Sequence, residues 1–514
     1  MRHGAGERAD PSQPVANEHG TIAAMAKRIL VIGGGLAGLS TACYARANGW
    51  DVTVLEHGLA LGGVCTAWRR DPYLVDGCIH WLTGGPFMNV YEELHVVPPV
   101  EVTTMQHFAT VRDAHGAWRV DVTSNLEALG AQLRAIAPED GEEIDRIVEA
   151  AGHIADLSPR IEHPAELDTL RDRLRTMWDA RGELGTLIHF RGSVQEWTTA
   201  RIRSPQLAAV LRRMFPAQAP MFFSLMVLGY LQRGWLSRPV GGTASFRDAL
   251  VARFDELGAQ ARLGVTVDEV LVRDGRAYGV RLDDGTMEEG DIVVSTSSAP
   301  ETILRLLGGR YGADALRDRL DRWKLFDPIA MVSWGVARSM SDLPQMLLVD
   351  GIDPVEIGGR AQTGLYLRIY NDDPAFAPPG HCVVQAMCPG DYDWWAKRGG
   401  DYHDTKAEVA ARALEIVAPH VPGLTPDVIR MTDVATPLTY WRATRSWRGS
   451  FEGWMPASKD YATHVPKSLP GLEGFYMAGQ WVEPGGGVPT ALMSGRQLVQ
   501  ILCEAEGKRF ASGA

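Results

Sequence analysis

The stretch VIGGGLAGLSTACYARANGWDVTVLEHG, from Val31 to Gly58, carries the strongest structural signal in this chain of 514 residues. Ile29 to Ile32 is a short apolar run, Leu36 to Asn48 is helix-like, and Asp51 to Leu55 is a second apolar run. Two such runs on either side of a helix predict a parallel βαβ unit. We therefore expect an α/β fold whose sheet begins in this stretch.

The three spaced glycines of this stretch, Gly33, Gly35 and Gly38, have the GxGxxG spacing. In such a turn the first glycine permits the bend, the second lets the backbone approach a pyrophosphate, and the third lets helix and strand pack closely. The helix amino terminus adds partial positive charge. Glu56 ends the second strand, where a carboxylate accepts a hydrogen bond from a ribose hydroxyl. The unit predicts a bound adenine dinucleotide, and both FAD and NAD fit it.

Composition and charge narrow the function classes. The chain is 45% hydrophobic and 22% charged, and its length predicts two domains. A net charge of -12 without any block of Lys and Arg argues against nucleic-acid binding. Six cysteines without a CxxC pair predict neither a disulfide framework nor a metal site. We expect buried thiols in a reducing cytoplasm.

Two segments bear on targeting and membranes. Residues 1–26 are polar and lack an apolar signal region, so we expect a disordered leader, with Met25 as an alternative start. The apolar run PMFFSLMVLGYL, Pro220 to Leu231, is shorter than the about 20 residues that span a bilayer. It predicts a core helix, with a channel wall or a peripheral membrane contact as alternatives. Four arginines near the run would suit anionic headgroups: Arg201, Arg203, Arg212 and Arg213.

The rest of the chain contains further strands and helices. Phe108 to Val122 alternates around a His115-Gly116 turn and predicts a hairpin. Later strands are predicted at Ile329–Val336, Leu365–Tyr370 and Cys382–Met387, and a helix at Thr405–Val417. From Gly474 to Cys503 the pattern indicates a strand, a glycine loop and a helix.

Several blocks, in order along the chain, carry a family resemblance. Gly62-Gly63 follows Glu56, and Tyr73 with Asp76-Gly77 comes next. Three longer blocks follow: PVGGTASFRDAL (239–250), TPLTYWRATRSWRGSFEGW (436–454) and GFYMAGQWVEPGGGVPTALMSGR (474–496). In these blocks the chain resembles the phytoene desaturase and carotenoid isomerase branch of the FAD-dependent amine-oxidase-type flavoproteins. It departs from the family pattern at Val64, often Arg, and at Gln480, where many relatives have an acid, so the reaction type stays open.

The resemblance implies an architecture and a cofactor. It implies a Rossmann-like FAD-binding domain built from 27–105, 238–305 and 430–507, so the fold is α/β locally and α+β overall. A discontinuous substrate domain of antiparallel sheet plus helices would come from 106–237 and 306–429, with the active site between the domains. The residues expected to bind FAD are Gly33, Gly35, Leu36, Ala37, Gly38, Glu56, Gly62, Gly63, Val267, Gly479, Gln480, Gly486, Gly487 and Val488.

Other side chains are candidates for chemistry or for packing. His80 would face the flavin and donate a proton or orient the substrate, with core packing as the alternative. Trp481 is expected to form a pocket wall, and Glu483 is either a loop acid or a proton acceptor. An aromatic cluster is expected in the core, with substrate lining as the second interpretation: Asp391, Tyr392, Trp394 and Trp395.

The resemblance implies an FAD-dependent oxidoreductase that desaturates, saturates or isomerises C=C bonds in a hydrophobic polyene or isoprenoid-type substrate. NAD(P)H, a quinone or oxygen would serve as redox partner. Amine oxidation on the same fold is one alternative. A flavin-free carrier of lipid or prenyl groups, similar to the Rab GDP dissociation inhibitors, is another. The carrier would need neither Glu56 nor Gly485 to Gly487, and both are present.

Overall fold

The computed structural model describes residues 26–156, 163–455, 463 and 465–513. The predicted leader lies outside these residues except at its last position. The helices are α1 Leu36–Ala47, α2 Met88–Glu93, α3 Leu126–Ile136, α4 Gly141–Ile154, α5 Leu170–Asp179, α6 Leu184–His189, α7 Val194–Arg201, α8 Pro205–Met214, α9 Met221–Gln232, α10 Gly242–Glu256, α11 Ala313–Arg322, α12 Tyr392–Ala396, α13 Tyr402–Val417, α14 Pro437–Thr444 and α15 Val488–Ala505.

The longest strands, of eight to twelve residues, lie between 329 and 389. The strands are β1 Arg28–Ile32, β2 Asp51–Glu56, β3 Ala67–Arg70, β4 Tyr73–Asp76, β5 Leu82–Thr83, β6 Val102–Thr104, β7 His107–Asp113, β8 Arg119–Thr123, β9 Leu236–Pro239, β10 Gln260–Leu263, β11 Val267–Arg273, β12 Arg276–Leu282, β13 Met287–Glu289, β14 Ile292–Ser295, β15 Lys324–Leu325, β16 Ile329–Val336, β17 Met346–Ile357, β18 Arg360–Tyr370, β19 Cys382–Pro389, β20 Ile429–Ala435, β21 Trp454–Met455, β22 Ser468–Leu469 and β23 Leu472–Met477.

The first sheet contains the predicted βαβ unit. Its strand order is β10-β2-β1-β14-β23-β12-β11, and β1 pairs in parallel with both β2 and β14. Ile29, Val31 and Val52 are fully buried, as expected for strands covered on both faces. Helices α1 and α15 pack together on this sheet, and the hydroxyl of Ser40 donates to the carbonyl of Leu492 at 2.6 Å. The predicted α/β fold is confirmed.

The second sheet is larger and mainly antiparallel, in the order β20-β16-β19-β18-β17-β7-β8. Side chains along a strand alternate between faces. On β18, Leu365, Leu367 and Ile369 therefore join the core beneath α13. Tyr366 and Arg368 point to the opposite face, toward the β3–β4 hairpin and His80. Because of this alternation, polar side chains of the second sheet lie next to residues 67–80, which precede that sheet in the sequence.

Each of the two large sheets is assembled from three separate segments of the chain. The first sheet draws its strands from 28–56, 260–295 and 468–477, and the second from 107–123, 329–389 and 429–435. Strand β20 pairs with β16 in the second sheet, although the predicted boundary at 430 placed it with the first. An isolated strand of alternating residues does not reveal its partner, because pairing is decided by the rest of the sheet.

Helix α9 covers the apolar run at 220–231. Met221, Leu225 and Leu228 are buried, and a Cβ on Gly229 would lie 2.3 Å from the carbonyl oxygen of Ala151 in α4. The two helices therefore touch backbone to backbone, and the prediction of a core helix is confirmed. None of the described helices combines the length and the apolar character that crossing a membrane requires. All six cysteines are free thiols, five of them buried.

Candidate functional site

The glycines of the GxGxxG turn differ in how much room they leave for a side chain. A Cβ on Gly38 would lie 2.0 Å from the carbonyl oxygen of Gly33, so only glycine lets the helix pack on the strand there. Gly35 has ordinary extended backbone, and its added Cβ would meet nothing closer than the Cα of Gly63, at 3.9 Å. Gly35 also forms a parallel bridge with Gly62. The turn and the Gly62-Gly63 segment thus face each other across a narrow space that side chains leave open.

The amino terminus of α1 opens onto this space. Its N-cap, Gly35, has no side chain to cap the helix, and the first turn, which includes Leu36, Ala37 and Gly38, holds no acid. The first N–H groups of a helix lack partners within the helix. Together with the helix dipole they bind phosphate groups well. The local structure therefore fits the pyrophosphate of a dinucleotide.

Glu56 holds the turn from the second strand. One carboxylate oxygen accepts from the N–H of Gly34 and the other from the N–H of Gly58, each at 2.6 Å. A carboxylate offers about four lone-pair positions. Two backbone bonds therefore fix the side chain of Glu56 and leave acceptor capacity for ribose hydroxyls.

The carboxy-terminal loop meets α1 from the other side. The N–H of Gly479 donates to Ser494 Oγ at 2.7 Å, and a Cβ on Gly479 would lie 3.3 Å from the Cβ of Ala37. Gln480 Nε2 donates to the carbonyl of Phe451 at 2.9 Å. The segment at 479–494 and the start of α1 are far apart in sequence but lie together beside the glycine turn.

The glycine loop before α15 packs on the segment at 450–454. A Cβ on Gly486 would lie 2.7 Å from the Cβ of Glu452, so this approach requires glycine. Gly487 is the N-cap of α15 without a side-chain cap, and the buried Val488 begins the helix. This second uncapped helix terminus can stabilise negative charge placed before it.

Glu452 is a site residue that sequence reasoning missed. Loss of solvation raises the pKa of its carboxyl to about 7. A carboxyl with a pKa near neutrality can take up or release a proton at physiological pH, which is a common property of catalytic acids and bases. The only signal in the sequence is an acid within the aromatic and glycine-rich run Phe451 to Trp454.

His80 lies on the face of the second sheet that carries Tyr366. The Tyr366 hydroxyl is 3.4 Å from His80 Nδ1. Burial, and then the positive charge of Arg368, lower the pKa of His80 to about 3. The imidazole is therefore neutral at neutral pH and can orient a partner, but it is not a reservoir of imidazolium. Its predicted role in catalysis stays a prediction.

Other predicted residues lie away from this group. Trp394 and Trp395 pack with the core beneath α13, on the sheet face opposite His80, and Asp391 caps α12 by accepting from the N–H of Trp394. The carbonyl of Val267 accepts from Arg305 Nη2 at 2.8 Å. The residues just before Val267 contact the end of β2: the N–H of Val265 donates to the carbonyl of Glu56, and Thr266 Oγ1 lies 2.8 Å from His57 Nδ1.

Two residues flank the carboxy-terminal loop. Glu483 pairs with Lys467, whose side chain is only 1% exposed. Trp481 is buried, and its ring packs edge-on against Trp454 with 5.0 Å between centroids. Both side chains therefore hold the loop in place.

A family comparison accounts for this arrangement. The model of the family described as "Flavin containing amine oxidoreductase" matches residues 36–503. The chain belongs to this family. It is accordingly an FAD-dependent oxidoreductase, and the amine-oxidase-type resemblance stated from the sequence is confirmed.

Relatives of this family member cover nearly its full length. A phytoene desaturase (neurosporene-forming) of Rhodobacter capsulatus is 25% identical over 93% of this chain and 94% of its own. A phytoene desaturase (lycopene-forming) of Pseudescherichia vulneris is 23% identical, with 93% and 99% covered. A 4,4'-diaponeurosporene oxygenase of Staphylococcus aureus is 24% identical, with 94% and 99% covered.

Solved structures agree on the fold. An oxidoreductase from Methanosarcina mazei superposes with a TM-score of 0.61 at 17% identity, covering 92% of this chain and all of that one. Cyclohexylamine oxidase from Brevibacterium oxydans gives 0.60 at 14%, covering 94% of this chain and 100% of its own. At such identities the likeness establishes the fold of the flavoenzyme and leaves its substrate open.

Proposed function

We propose that the protein desaturates, saturates or isomerises C=C bonds in a hydrophobic polyene or isoprenoid-type substrate. The observation that carries the proposal is the similarity to phytoene desaturases across 93% of the chain. The amine oxidases among the solved structures share the fold at identities too low to indicate a substrate. When bound, FAD supplies the two-electron chemistry, and the chain supplies position, exclusion of water and proton transfer.

We infer that FAD lies across the carboxyl edge of the first sheet, at its glycine segments. The uncapped terminus of α1, the gap between Gly35 and Gly63, and the free acceptor capacity of Glu56 support this position for the adenine half. The residues proposed to bind FAD are Gly33, Gly35, Leu36, Ala37, Gly38, Glu56, Gly62, Gly63, Val267, Gly479, Gln480, Gly486, Gly487 and Val488. The redox partner proposed for the reaction is NAD(P)H, a quinone or oxygen.

The proposed substrate chamber runs beside α9. Aromatic rings form a continuous series from Trp81 through Phe108 and Phe215 to Phe223, with centroid separations of 5.3, 6.1 and 6.1 Å. Trp81 and Phe223, at the two ends of the series, are only partly buried. Partly exposed aromatic surface beside a buried core suits an extended apolar molecule.

The proposed route of substrate entry is an anionic membrane surface. Five large apolar side chains on α5 and α6 are between 56% and 76% exposed, and we call them the α5–α6 face: Leu170, Leu174, Trp178, Leu184 and Ile188. Residues 169–191 contain five arginines and three acids, a local excess of positive charge in a chain of net charge -12. An apolar stripe flanked by arginines is typical of helices that lie in the headgroup region of anionic bilayers.

The test of the proposed function is anaerobic. The purified protein, reconstituted with FAD, is mixed with phytoene or a cis-carotenoid while its visible flavin band is recorded. Bleaching by the polyene indicates desaturation. Bleaching by NADPH or NADH followed by recovery with the polyene indicates saturation. Change of the carotenoid spectrum without net bleaching indicates isomerisation. If no polyene changes either spectrum while an amine bleaches the flavin, the proposed substrate class is wrong.

A further inference from the structure

A small cavity lies between α10 and the end of β18. Its volume is about 80 Å³, which admits several water molecules or a small polar group but not a polyene. Two arginines and three aspartates are among its lining residues: Asp76, Arg238, Arg368, Asp372 and Asp373. The cavity is thus sized for a polar head group.

The two arginines are not fully satisfied within the described part of the chain. Arg368 is 3% exposed, and its Nε and Nη1 donate to no described atom. The Nε of Arg238 is also buried without a partner. Burial and the nearby charge of Arg368 lower the pKa of Arg238. Two guanidinium groups therefore face one small cavity with unused donors and repel each other.

The three aspartates have other hydrogen-bond partners and accept nothing from the Nε or Nη1 of Arg368. Asp372 pairs with Arg238 Nη2 at 3.0 Å. Asp373 accepts from the N–H groups of Gly241 and Ala375. Asp76 accepts from the N–H groups of Cys78 and Thr243 and from the Thr243 hydroxyl.

Burial raises the pKa of Asp76, which weakens it as a counter-ion. A buried donor without a partner is destabilising, and the guanidinium fork binds carboxylate and phosphate in bidentate fashion.

We propose that this cavity is an oxyanion subsite in which Arg238 and Arg368 bind a carboxylate or phosphate group carried at the end of the substrate. The subsite adjoins the region proposed for catalysis, because Arg368 shares a strand face with Tyr366, the neighbour of His80. An oxyanion in the cavity would fix one end of an amphipathic polyene while its apolar part extends along the chamber. This inference rests on the proposed function and narrows the substrate to an acidic polyene or isoprenoid.

The experiment measures binding to the FAD-loaded enzyme, so it does not depend on turnover. The probes are all-trans-retinoic acid, retinol as the neutral match, and inorganic phosphate and acetate as free anions. The variants are Arg368→Met and Arg238→Met. Arg360→Met, an exposed arginine on the same strand that pairs with Asp327, is the control.

We expect retinoic acid to bind the unaltered protein at least tenfold more tightly than retinol. That preference should disappear in Arg368→Met and Arg238→Met and persist in Arg360→Met. The unfolding temperature of Arg368→Met should not fall, because an apolar side chain replaces a buried group that has two donors without partners. Tight phosphate or acetate binding that depends on Arg368, without preference for the acidic polyene, would confirm the oxyanion site and assign it to a free anion.

Equal binding of all probes by Arg368→Met and the unaltered protein would overturn the subsite. Failure of the proposed reaction would give a different result. Retinoic acid would still bind through Arg368, but no polyene would change the flavin or carotenoid spectrum.

Discussion

Single residues in this protein have separable roles, and the glycine turn shows this most clearly. Gly38 is required by packing, because its neighbour is the backbone of Gly33 at 2.0 Å from an added Cβ. Gly35 has room for a side chain in the protein alone. We therefore expect Gly35 to be needed for the cofactor proposed to lie in the gap toward Gly63. A substitution at Gly35 should weaken FAD binding, whereas a substitution at Gly38 should destabilise the protein itself.

Gly35→Val should fold normally and lose FAD. The valine side chain would fill the space proposed for the pyrophosphate, so the Kd for FAD should rise about 100-fold or more, equivalent to about 2.8 kcal/mol. The unfolding temperature of the flavin-free protein should stay within a few degrees of that of the unaltered protein. Flavin fluorescence titration and thermal unfolding measure the two quantities.

Two glycine variants serve as comparisons for Gly35→Val. Gly38→Ala should lower the stability of the flavin-free protein, because its Cβ meets backbone. Gly141→Val, at a position where an added Cβ meets nothing within 4 Å, should leave FAD binding unchanged. Full FAD occupancy in Gly35→Val would contradict the proposed position of the cofactor.

Glu452 makes a prediction about pH that can be tested in the flavin-free protein. Its folded pKa, about 7, lies above the unfolded value of 4.5, so the folded state binds more protons between those values. Stability should therefore decrease as pH rises from about 4.5 to 7. Glu452→Gln should remove this loss, which amounts to at most about 3 kcal/mol. Denaturant unfolding from pH 4 to 8 measures it, and parallel curves for both proteins would refute the shifted pKa.

Sequence reasoning identified residues whose role is local and missed those whose role depends on distant neighbours. Gly33, Gly35 and Glu56 lie in one short stretch, so their spacing is sufficient to predict a common site. Glu452 and Arg368 acquire their properties from burial by other parts of the chain, which no local pattern encodes.

At the scale of elements, apolar composition alone does not tell a core helix from a surface helix. The sequence singles out the run at 220–231, which forms the buried α9. Five of the nine exposed large apolar side chains of the described residues instead belong to α5, where they are spaced by four residues among arginines, and to α6. Strands and helices were predictable from periodicity, but the pairing of β20 with β16 was not, because it depends on the whole sheet.

The double variant Leu174→Glu with Trp178→Glu should abolish binding to anionic vesicles. Two carboxylates would replace apolar area on the α5–α6 face and oppose the negative lipid charge. Co-sedimentation with vesicles of phosphatidylserine and phosphatidylcholine measures the bound fraction. Met287→Glu, at an apolar residue that is 65% exposed on β13, is the matched control. Equal sedimentation of the double variant and the control would disprove the proposed membrane contact.

For the whole molecule, Lys467 connects parts of the chain that lie far apart in sequence. Its buried ammonium group pairs with Glu483, donates to Gln497 Oε1 at 3.1 Å, and lies 3.5 Å from Glu166. Glu166 belongs to the helical part of the chain, whereas Glu483 precedes the glycine loop of α15. One lysine therefore links the helical region to the loop proposed to meet the flavin.

Lys467→Met should destabilise the protein by about 3–5 kcal/mol, because it leaves carboxylates near one another without their cation. The double variant Lys467→Met with Glu483→Gln should recover part of that loss, since it also removes a charge. Denaturant unfolding of these two variants, of Glu483→Gln alone and of the unaltered protein gives the coupling energy. Equal losses in the single and double variants would show that the lysine acts through packing alone.

The construction of the first sheet from three distant segments has a consequence for synthesis on the ribosome. Strand β1 pairs with β14, and β14 with β23, which ends at Met477. At about 5–20 residues per second, roughly 20 to 90 s separate the emergence of β1 from that of β23. Throughout that interval the nascent chain presents unpaired apolar strand edges, so productive folding in the cell should require chaperones. The proposed FAD site, whose residues extend to Val488, is incomplete until that part of the chain has been made.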